Sequence, residues 1–166
     1  MGRRLAAVLG SAHIELDALF WGPGWSMAEL PVFRSRVASV VAGDAWVIDG
    51  GYSAVRDLIW PRADTVVWLD YPLTVILPRL VARIVARIRD GTELWPGTGN
   101  RETIRGQFSR DQLVWFAIRT HRGRRRRIRE MLARPEYAHL QVHHFTRAAD
   151  ADRWLEAQRV LAAARI

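Results

Sequence analysis

The chain has 166 residues, of which 49% are hydrophobic and 25% are charged. This length and this hydrophobic content predict a single domain with a proper core and exclude a disordered tail. The absence of cysteine excludes disulfides, thiolate metal sites and a cysteine nucleophile. No apolar run approaches the ~20 residues of a membrane span, and the N-terminus has no signal-peptide pattern, so a cytoplasmic protein without membrane contact is expected.

The charge of the chain is strongly positive and comes from arginine alone. The net charge is +8, and all 25 basic residues are arginines. Without lysine, these residues supply no Schiff base, no lysine general base and no phosphate-loop lysine. Arginine instead presents planar, permanently charged groups that fit phosphate oxygens. An anionic partner is therefore expected, either a nucleotide or a nucleic acid.

Hydrophobic periodicity predicts helices and strands that alternate along the chain. The predicted elements are a helix over 1–9, a strand over 13–17, an irregular loop over 20–31, a helix over 32–42, a strand in AWVIDGG (45–51), a strand in DTVVWLDYP (64–72), a helix over 73–88, an irregular loop over 90–100, a mostly helical stretch over 101–133, a strand over 140–145 and a helix over 152–164. Continuous apolar strands separated by helices indicate an α/β fold with a parallel sheet covered on both faces.

Three of the predicted strands end at an aspartate, namely Asp17, Asp49 and Asp70. Ligands of parallel sheets collect at the carboxyl ends of the strands. Aspartate is also a common turn and helix-cap residue, which explains any single one of the three equally well. Asp49 is followed by Gly50 and Gly51, which allow a close approach. An aspartate that ends an apolar strand commonly holds a magnesium-bound nucleotide, directly or through water.

Three segments, HIELDALFWGPGW, WVIDGGY and RADTVVWLDYP, carry a family resemblance. Together they resemble the adenylate-kinase-like group of P-loop proteins, above all the branch labelled topology modulation protein or adenylate kinase in bacterial genomes. The resemblance extends through nearly the whole chain. It implies a three-layer fold with a parallel sheet between helices, a lid at about residues 88–110, and phosphoryl transfer from Mg-ATP to a small acceptor, for which a nucleoside monophosphate is the family-level expectation.

The resemblance also implies residue roles on the acceptor side of the site. Asp17 corresponds to the acidic residue that faces the acceptor and takes part in catalysis. Asp49 corresponds to the Walker B aspartate, which is catalytic and binds Mg²⁺, with water as a possible bridge. Gly50 and Arg56 correspond to a glycine and an arginine that contact the acceptor.

The remaining implied roles belong to arginines. Arg79 and Arg83 correspond to the paired arginines that contact the donor nucleotide and its phosphates. The lid contributes Arg101 and Arg105 as catalytic residues and Arg110 as a nucleotide-binding residue. Fixed cations around a transferring phosphoryl group stabilise the charge on its oxygens, so the residue type suits the chemistry. A solvated arginine stripe on a helix is the alternative reading.

One expected motif does not occur in the 166 residues. In this family a strand and a G-x-x-x-x-G-K-[ST] loop stand before the helix that corresponds to GRRLAAVLG. That strand lies centrally, between the strands that correspond to WVID and VVWLD. Because the phosphate loop does not occur in these residues, the 166-residue chain is expected to be inactive. Because the central strand does not occur either, the chain is expected to associate with itself through open strand edges. Imperfect closure of the sheet and coverage by another chain are alternatives; a misassigned start or an artificial boundary is the favoured explanation.

Two other classes of protein stay open. The run RTHRGRRRRIRE (119–130) is a candidate nucleic-acid footprint. Its arginines surround the helix and no aromatic platform is interleaved with them, so this class ranks below the kinase reading. The third class is a catalytically inactive remnant that still binds a nucleotide or a protein.

Overall fold

The computed structural model describes residues 1–103 and 113–164. The chain divides into two compact units. The first unit consists of Met1–Gly22, Ser26–Leu69 and His139–Ile166, and the second consists of Pro23–Trp25 and Asp70–Ala138. Of the segment expected to form a lid, 88–110, residues 88–103 belong to the second unit, and residues 104–110 lie outside the described residues.

The described residues form a mixed α/β structure with seven helices and eight strands. The helices are α1 (Gly2–Leu9), α2 (Leu16–Phe20), α3 (Leu30–Val41), α4 (Arg56–Ile59), α5 (Leu73–Asp90), α6 (Leu113–Leu132) and α7 (Ala148–Ala163). The strands are β1 (Ala12–Glu15), β2 (Trp21–Gly22), β3 (Ser26–Met27), β4 (Trp46–Asp49), β5 (Thr65–Leu69), β6 (Glu93–Leu94), β7 (Asn100–Arg101) and β8 (Gln141–Phe145). No helix in this part of the chain is both long and apolar enough to cross a membrane.

The longer strands of the first unit form two parallel pairs. β1 pairs with β4 in a register that places Glu15 beside Asp49, and β5 pairs with β8 in a register that places Leu69 beside Phe145. Parallel pairing is what the apolar, helix-separated strands predict, and it is confirmed. Within residues 1–103 and 113–164, β4 and β5 share no ladder, so the pairs remain separate two-stranded sheets.

The core of the first unit lies beside the β1–β4 pair. Helix α3 buries one stripe at four-residue spacing, which fits the helical period. The buried cluster consists of Leu16, Phe33, Val37, Val41, Val55 and Ile59. Trp46 and Ile48 of β4 pack against this cluster. The packing therefore fixes the carboxyl end of β4 and the loop that follows it.

Helix α1 packs against β1, β4 and α7 and buries Leu5 and Ala6. It ends at Gly10, whose φ of 62° is a left-handed helix cap that glycine adopts without strain. The turn returns the chain at once to the amino end of β1. Because α1 runs opposite to β1, its N-terminus comes to the carboxyl edge of the β1–β4 pair.

Four sequence-based assignments are wrong. The loop expected over 20–31 contains the β2–β3 hairpin and the start of α3, and the loop expected over 90–100 contains most of the β6–β7 hairpin. Arg101 lies in β7 instead of the predicted helix. Asp17 lies in α2, because β1 already ends at Glu15. Two-residue strands are too short to show the alternation by which a strand is recognised.

Candidate functional site

Two exposed carboxylates mark the carboxyl edge of the β1–β4 pair. Asp49 is the last residue of β4, and its side chain is 58% exposed. Asp17 follows the end of β1 by two residues and lies in the first turn of α2, where it is also exposed. The parallel register brings both acids to one edge, as the sequence predicts, although Asp17 belongs to a helix and not to the strand itself.

The N-terminus of α1 lies directly against Asp49. A Cβ placed on Gly2 would be 2.9 Å from Oδ2 of Asp49 and 3.0 Å from Nε2 of His13. The His13 ring is 3.7 Å from Asp49 and 3.8 Å from Glu15, measured between the nearest nitrogen and oxygen atoms. The first turn of a helix has free N–H groups and a partial positive charge, which attract anions. This edge therefore combines a carboxylate with an anion-attracting helix end.

The residues around Asp49 are compatible with Mg²⁺ but do not enclose it. Among residues 1–103 and 113–164, no group of three or more His, Asp or Glu side chains is arranged to hold a metal ion. Mg²⁺ usually keeps several waters and binds through one or two carboxylates together with substrate phosphates. An exposed Asp49 fits that pattern, with waters and nucleotide phosphates as the remaining ligands.

The loop after β4 is shaped by Gly50. Its φ is 126°, and a Cβ on it would lie 3.0 Å from the Cβ of buried Leu16. Both the backbone conformation and the space exclude a larger residue. Gly51 has nothing within 4 Å of the corresponding position. The sequence assigns Gly50 to the acceptor, and the structure shows that it also joins β4 to the core under α2.

The sequence analysis missed Tyr52, which contacts Asp17. The Tyr52 hydroxyl donates a hydrogen bond of 2.6 Å to Oδ1 of Asp17. The Tyr52 ring packs against Phe20 and Phe33, with ring centroids 5.0 and 5.1 Å away. Burial raises the pKa of Tyr52 first, the bond and charge of Asp17 raise it further, and a hydrogen bond with Trp21 opposes them. No short-range pattern reveals this pair, because its members are 35 residues apart.

Arg56, expected at the acceptor, is the first residue of α4 and is half-buried. Its guanidinium lies over the ring of Trp60, one turn later, at 5.2 Å from the centroid. The next residue, Asp57, forms a two-pronged ion pair with Arg34 of α3, with bonds of 2.9 and 2.6 Å. That hydrogen bonding lowers the pKa of Asp57 and raises the pKa of Arg34. The Arg34–Asp57 ion pair thus joins α4 to α3, whereas the Arg56 guanidinium contacts Trp60 at the end of α4.

The arginines expected on the donor side, Arg79 and Arg83, lie in the second unit, on α5. Arg79 and Arg83 are exposed, and Arg79 lies over the Tyr71 ring at 5.8 Å. Arg87, one turn further, is bonded at 3.0 Å to Glu102, whose side chain is only 3% exposed. Arg79 and Arg83 therefore reach solvent, whereas Arg87 neutralises a buried acid.

Of the three arginines expected in the lid, Arg101 lies within the described residues. Arg101 is exposed, and its Nη1 donates to the carbonyl of Gly91, which ties the base of the β6–β7 hairpin to the end of α5. Arg105 and Arg110 lie outside the described residues. Arg101 thus has a structural contact beside the catalytic role that the sequence assigns to it.

The third strand-end aspartate differs from the other two. The Asp70 side chain is 1% exposed, with Arg125 at 2.6 Å and Arg129 at 3.7 Å, both from α6. Two arginines of the 119–130 run are therefore directed at a buried acid. Asp70 is a structural ion-pair centre of the second unit.

Compared with protein-family models, with curated proteins and with solved structures, the chain matches none of them.

Proposed function

We propose that this chain is an adenylate-kinase-like phosphotransferase domain that acts when a phosphate-binding loop stands in front of α1. The acceptor oxygen attacks the γ-phosphorus of Mg-ATP, the bond to the β–γ bridging oxygen breaks, and ADP leaves. The acceptor class is a nucleoside monophosphate. The single observation that carries the proposal is the N-terminus of α1 against Asp49 at the carboxyl edge of two parallel strands.

That arrangement suits a phosphate chain and its metal ion. A loop that enters α1 would aim its own N–H groups and those of the first helical turn at the phosphates. Asp49 would hold Mg²⁺ beside them, directly or through water. Asp17 stands on the same edge, where it would face the acceptor. Arginine is the residue type that stabilises the charge spread over a transferring phosphoryl group, and Arg79, Arg83 and Arg101 of the second unit are exposed.

The strand pairing supports the finer fold assignment within this proposal. In a P-loop kinase-like sheet, the strand that leads into the phosphate loop lies between the strands that correspond to β4 and β5. Across the described ranges, β4 has β1 as its strand partner and β5 has β8. A central strand placed before α1 would complete a three-layer fold and would pair with the second edge of each.

A second candidate function is binding of single-stranded nucleic acid by α6. Trp115 and Phe116 are 57% and 51% exposed, and Arg124 lies over the Phe116 ring at 5.8 Å. Exposed aromatic rings beside arginines are the combination that binds unpaired bases and backbone. These rings supply the aromatic platform that the sequence reading of the 119–130 run lacked. Binding that weakens steeply with salt and is lost in Trp115→Ala would favour this candidate.

The kinase proposal is tested with the 166-residue chain and with the same chain extended by a strand and a G-x-x-x-x-G-K-[ST] loop before Met1. Mg-ATP and each of the four common nucleoside monophosphates are supplied, and ADP and nucleoside diphosphate are measured. The extended chain is expected to transfer, and the unextended chain is expected to show nothing above background. The extension should also raise the melting temperature and suppress self-association through the strand edges.

Two variants of the extended chain give the control. Asp49→Asn is expected to abolish transfer, whereas Asp44→Asn, an exposed residue near the amino end of β4, should retain it. Transfer by the unextended chain that disappears in Asp49→Asn would show that the loop is not required. ATP binding without transfer by the extended chain would favour the inactive remnant. Absence of ATP binding by the extended chain would overturn the proposal.

A further inference from the structure

We propose that Tyr52 is a positioning residue that holds Oδ1 of Asp17 and leaves Oδ2 to accept a hydrogen bond from the acceptor substrate. The inference rests on the proposed function, because it takes Asp17 to be the acceptor-facing acid. It adds a requirement on the acceptor, which must present a hydroxyl or amino group as donor to Oδ2.

The fold brings the two residues together from separate elements. Asp17 is fixed in the first turn of α2, immediately after β1. Tyr52 follows Gly50 and Gly51, immediately after β4, and the β1–β4 register sets these two chain segments side by side. The 2.6 Å bond between the hydroxyl and Oδ1 is in the range of a strong O–H···O⁻ hydrogen bond.

The tyrosine is itself held in place, so it can orient its partner. Its ring contacts Phe20 of α2 and Phe33 of α3, and Phe33 is only 1% exposed. A tyrosine hydroxyl is protonated in the neutral range, and the raised pKa of Tyr52 keeps it a donor at more alkaline pH as well. Asp17 by contrast is exposed. With Oδ1 bonded to Tyr52, Oδ2 is the oxygen of this exposed side chain that a ligand would meet.

A conformationally free aspartate would lose rotamer entropy when it engages a substrate. The bond from Tyr52 restricts the Asp17 rotamer already in the folded protein. Substrate binding then loses less entropy, which is the advantage of a preorganised site. Tyr52→Phe keeps the ring and its packing but removes the donor. It is expected to weaken acceptor binding about three- to tenfold, the range that corresponds to one hydrogen bond. ATP affinity should change less than acceptor affinity, because the bond that is removed belongs to Asp17, the acceptor-facing acid of the proposal.

The test is a double-mutant cycle on nucleoside monophosphate binding to the extended chain, measured by calorimetry. Asp17→Asn, Tyr52→Phe and the double variant are compared, with Tyr137→Phe, a buried tyrosine of the second unit, as the control. If Tyr52 acts through Asp17, Tyr52→Phe has no further effect on top of Asp17→Asn. Additive effects, or a loss in Tyr52→Phe no larger than that in Tyr137→Phe, would overturn the positioning role.

A second readout on the 166-residue chain separates this inference from the proposed function. Tyrosinate absorbance is followed with pH, and Asp17→Asn is expected to bring the pKa of Tyr52 down towards its ordinary value. An unchanged titration would show that the Asp17–Tyr52 bond does not form, and would overturn the inference whatever the protein does. If the titration shifts but no monophosphate binds the extended chain, the proposed acceptor and the positioning role fail together while the contact stands.

Discussion

The two units differ in the exposure of several polar side chains. In the first unit, Asp17 and Asp49 are exposed at the carboxyl edge of the β1–β4 pair. In the second, Asp70, Asn100 and Glu102 are the buried polar residues of the described chain, and each contacts a polar group. Burying an acid without a partner is costly, so a buried acid requires a partner within the fold, whereas an exposed acid does not.

The arginines divide along the same line. Arg87 and Arg125 contact the buried acids Glu102 and Asp70, and they act within the fold. Arg79 and Arg83 are exposed on α5 and keep their charge towards solvent. The number of arginines in the sequence is therefore larger than the number that is accessible to an anionic ligand. Exposed arginines remain accessible to a ligand, whereas arginines that contact buried acids contribute to stability, and variants of each kind test this difference.

The largest expected effect is loss of stability on removing a buried partner. Arg125→Met removes the arginine at 2.6 Å from buried Asp70, while Arg129 stays at 3.7 Å. Because removing one partner of a buried ion pair is strongly destabilising, the free energy of unfolding should fall by about 3 kcal/mol. Urea unfolding measures this loss. Arg126→Met is the control, since Arg126 is 78% exposed and pairs only at the surface. Equal losses of unfolding free energy in the two variants would show that an arginine on a buried acid stabilises the fold no more than a surface arginine does.

Substitution of the exposed arginines should affect ATP binding and leave stability almost unchanged. Arg79→Ala or Arg83→Ala in the extended chain should weaken ATP binding by roughly ten- to a hundredfold, because each loses a charge-assisted contact of ~1.5–3 kcal/mol. Stability should change little. Calorimetric titration with Mg-ATP measures the loss, and Arg126→Ala and Arg127→Ala serve as controls. Weaker ATP binding in the controls than in the α5 variants, or DNA binding that depends on 124–127, would favour the nucleic-acid function.

The sequence predicts the longer elements well because their apolar periodicity is strong. The helices that begin at Gly2, Leu73 and Ala148 and the parallel strands follow from that pattern, with shifts of a few residues at their ends. The sequence also locates Asp17 and Asp49 at one edge. It does not predict that Asp70 is buried or that Tyr52 reaches Asp17, because both depend on contacts between residues far apart in the chain.

The next effect compares the two glycines after β4. Gly50→Ala must adopt a φ of 126° and place a Cβ 3.0 Å from the Cβ of Leu16, so it should cost about 2 kcal/mol of unfolding free energy. Gly51→Ala meets nothing within 4 Å and should stay within about 0.5 kcal/mol of the parent. Thermal and urea unfolding of both variants give the comparison. A similar cost at Gly51 would mean that the loop, and not the contact with Leu16, is the sensitive feature.

The smallest expected effect is the response of stability to alkaline pH. Folding raises the pKa of Tyr52 above its ordinary value of 10.0, so above that pH the unfolded chain releases a proton that the folded chain retains. The stabilisation is complete below pH 10.0 and is lost as the pH rises further. Because the ring is only half-buried and solvent screens part of the effect, the loss between about pH 10 and pH 11 should be at most about 1 kcal/mol.

Urea unfolding of the parent and of Tyr52→Phe at a series of alkaline pH values measures this loss. The difference between the two proteins removes the contributions that they share, so it should shrink as the pH rises. A constant difference between the parent and Tyr52→Phe would mean that the Asp17–Tyr52 contact contributes nothing that depends on the phenolic proton.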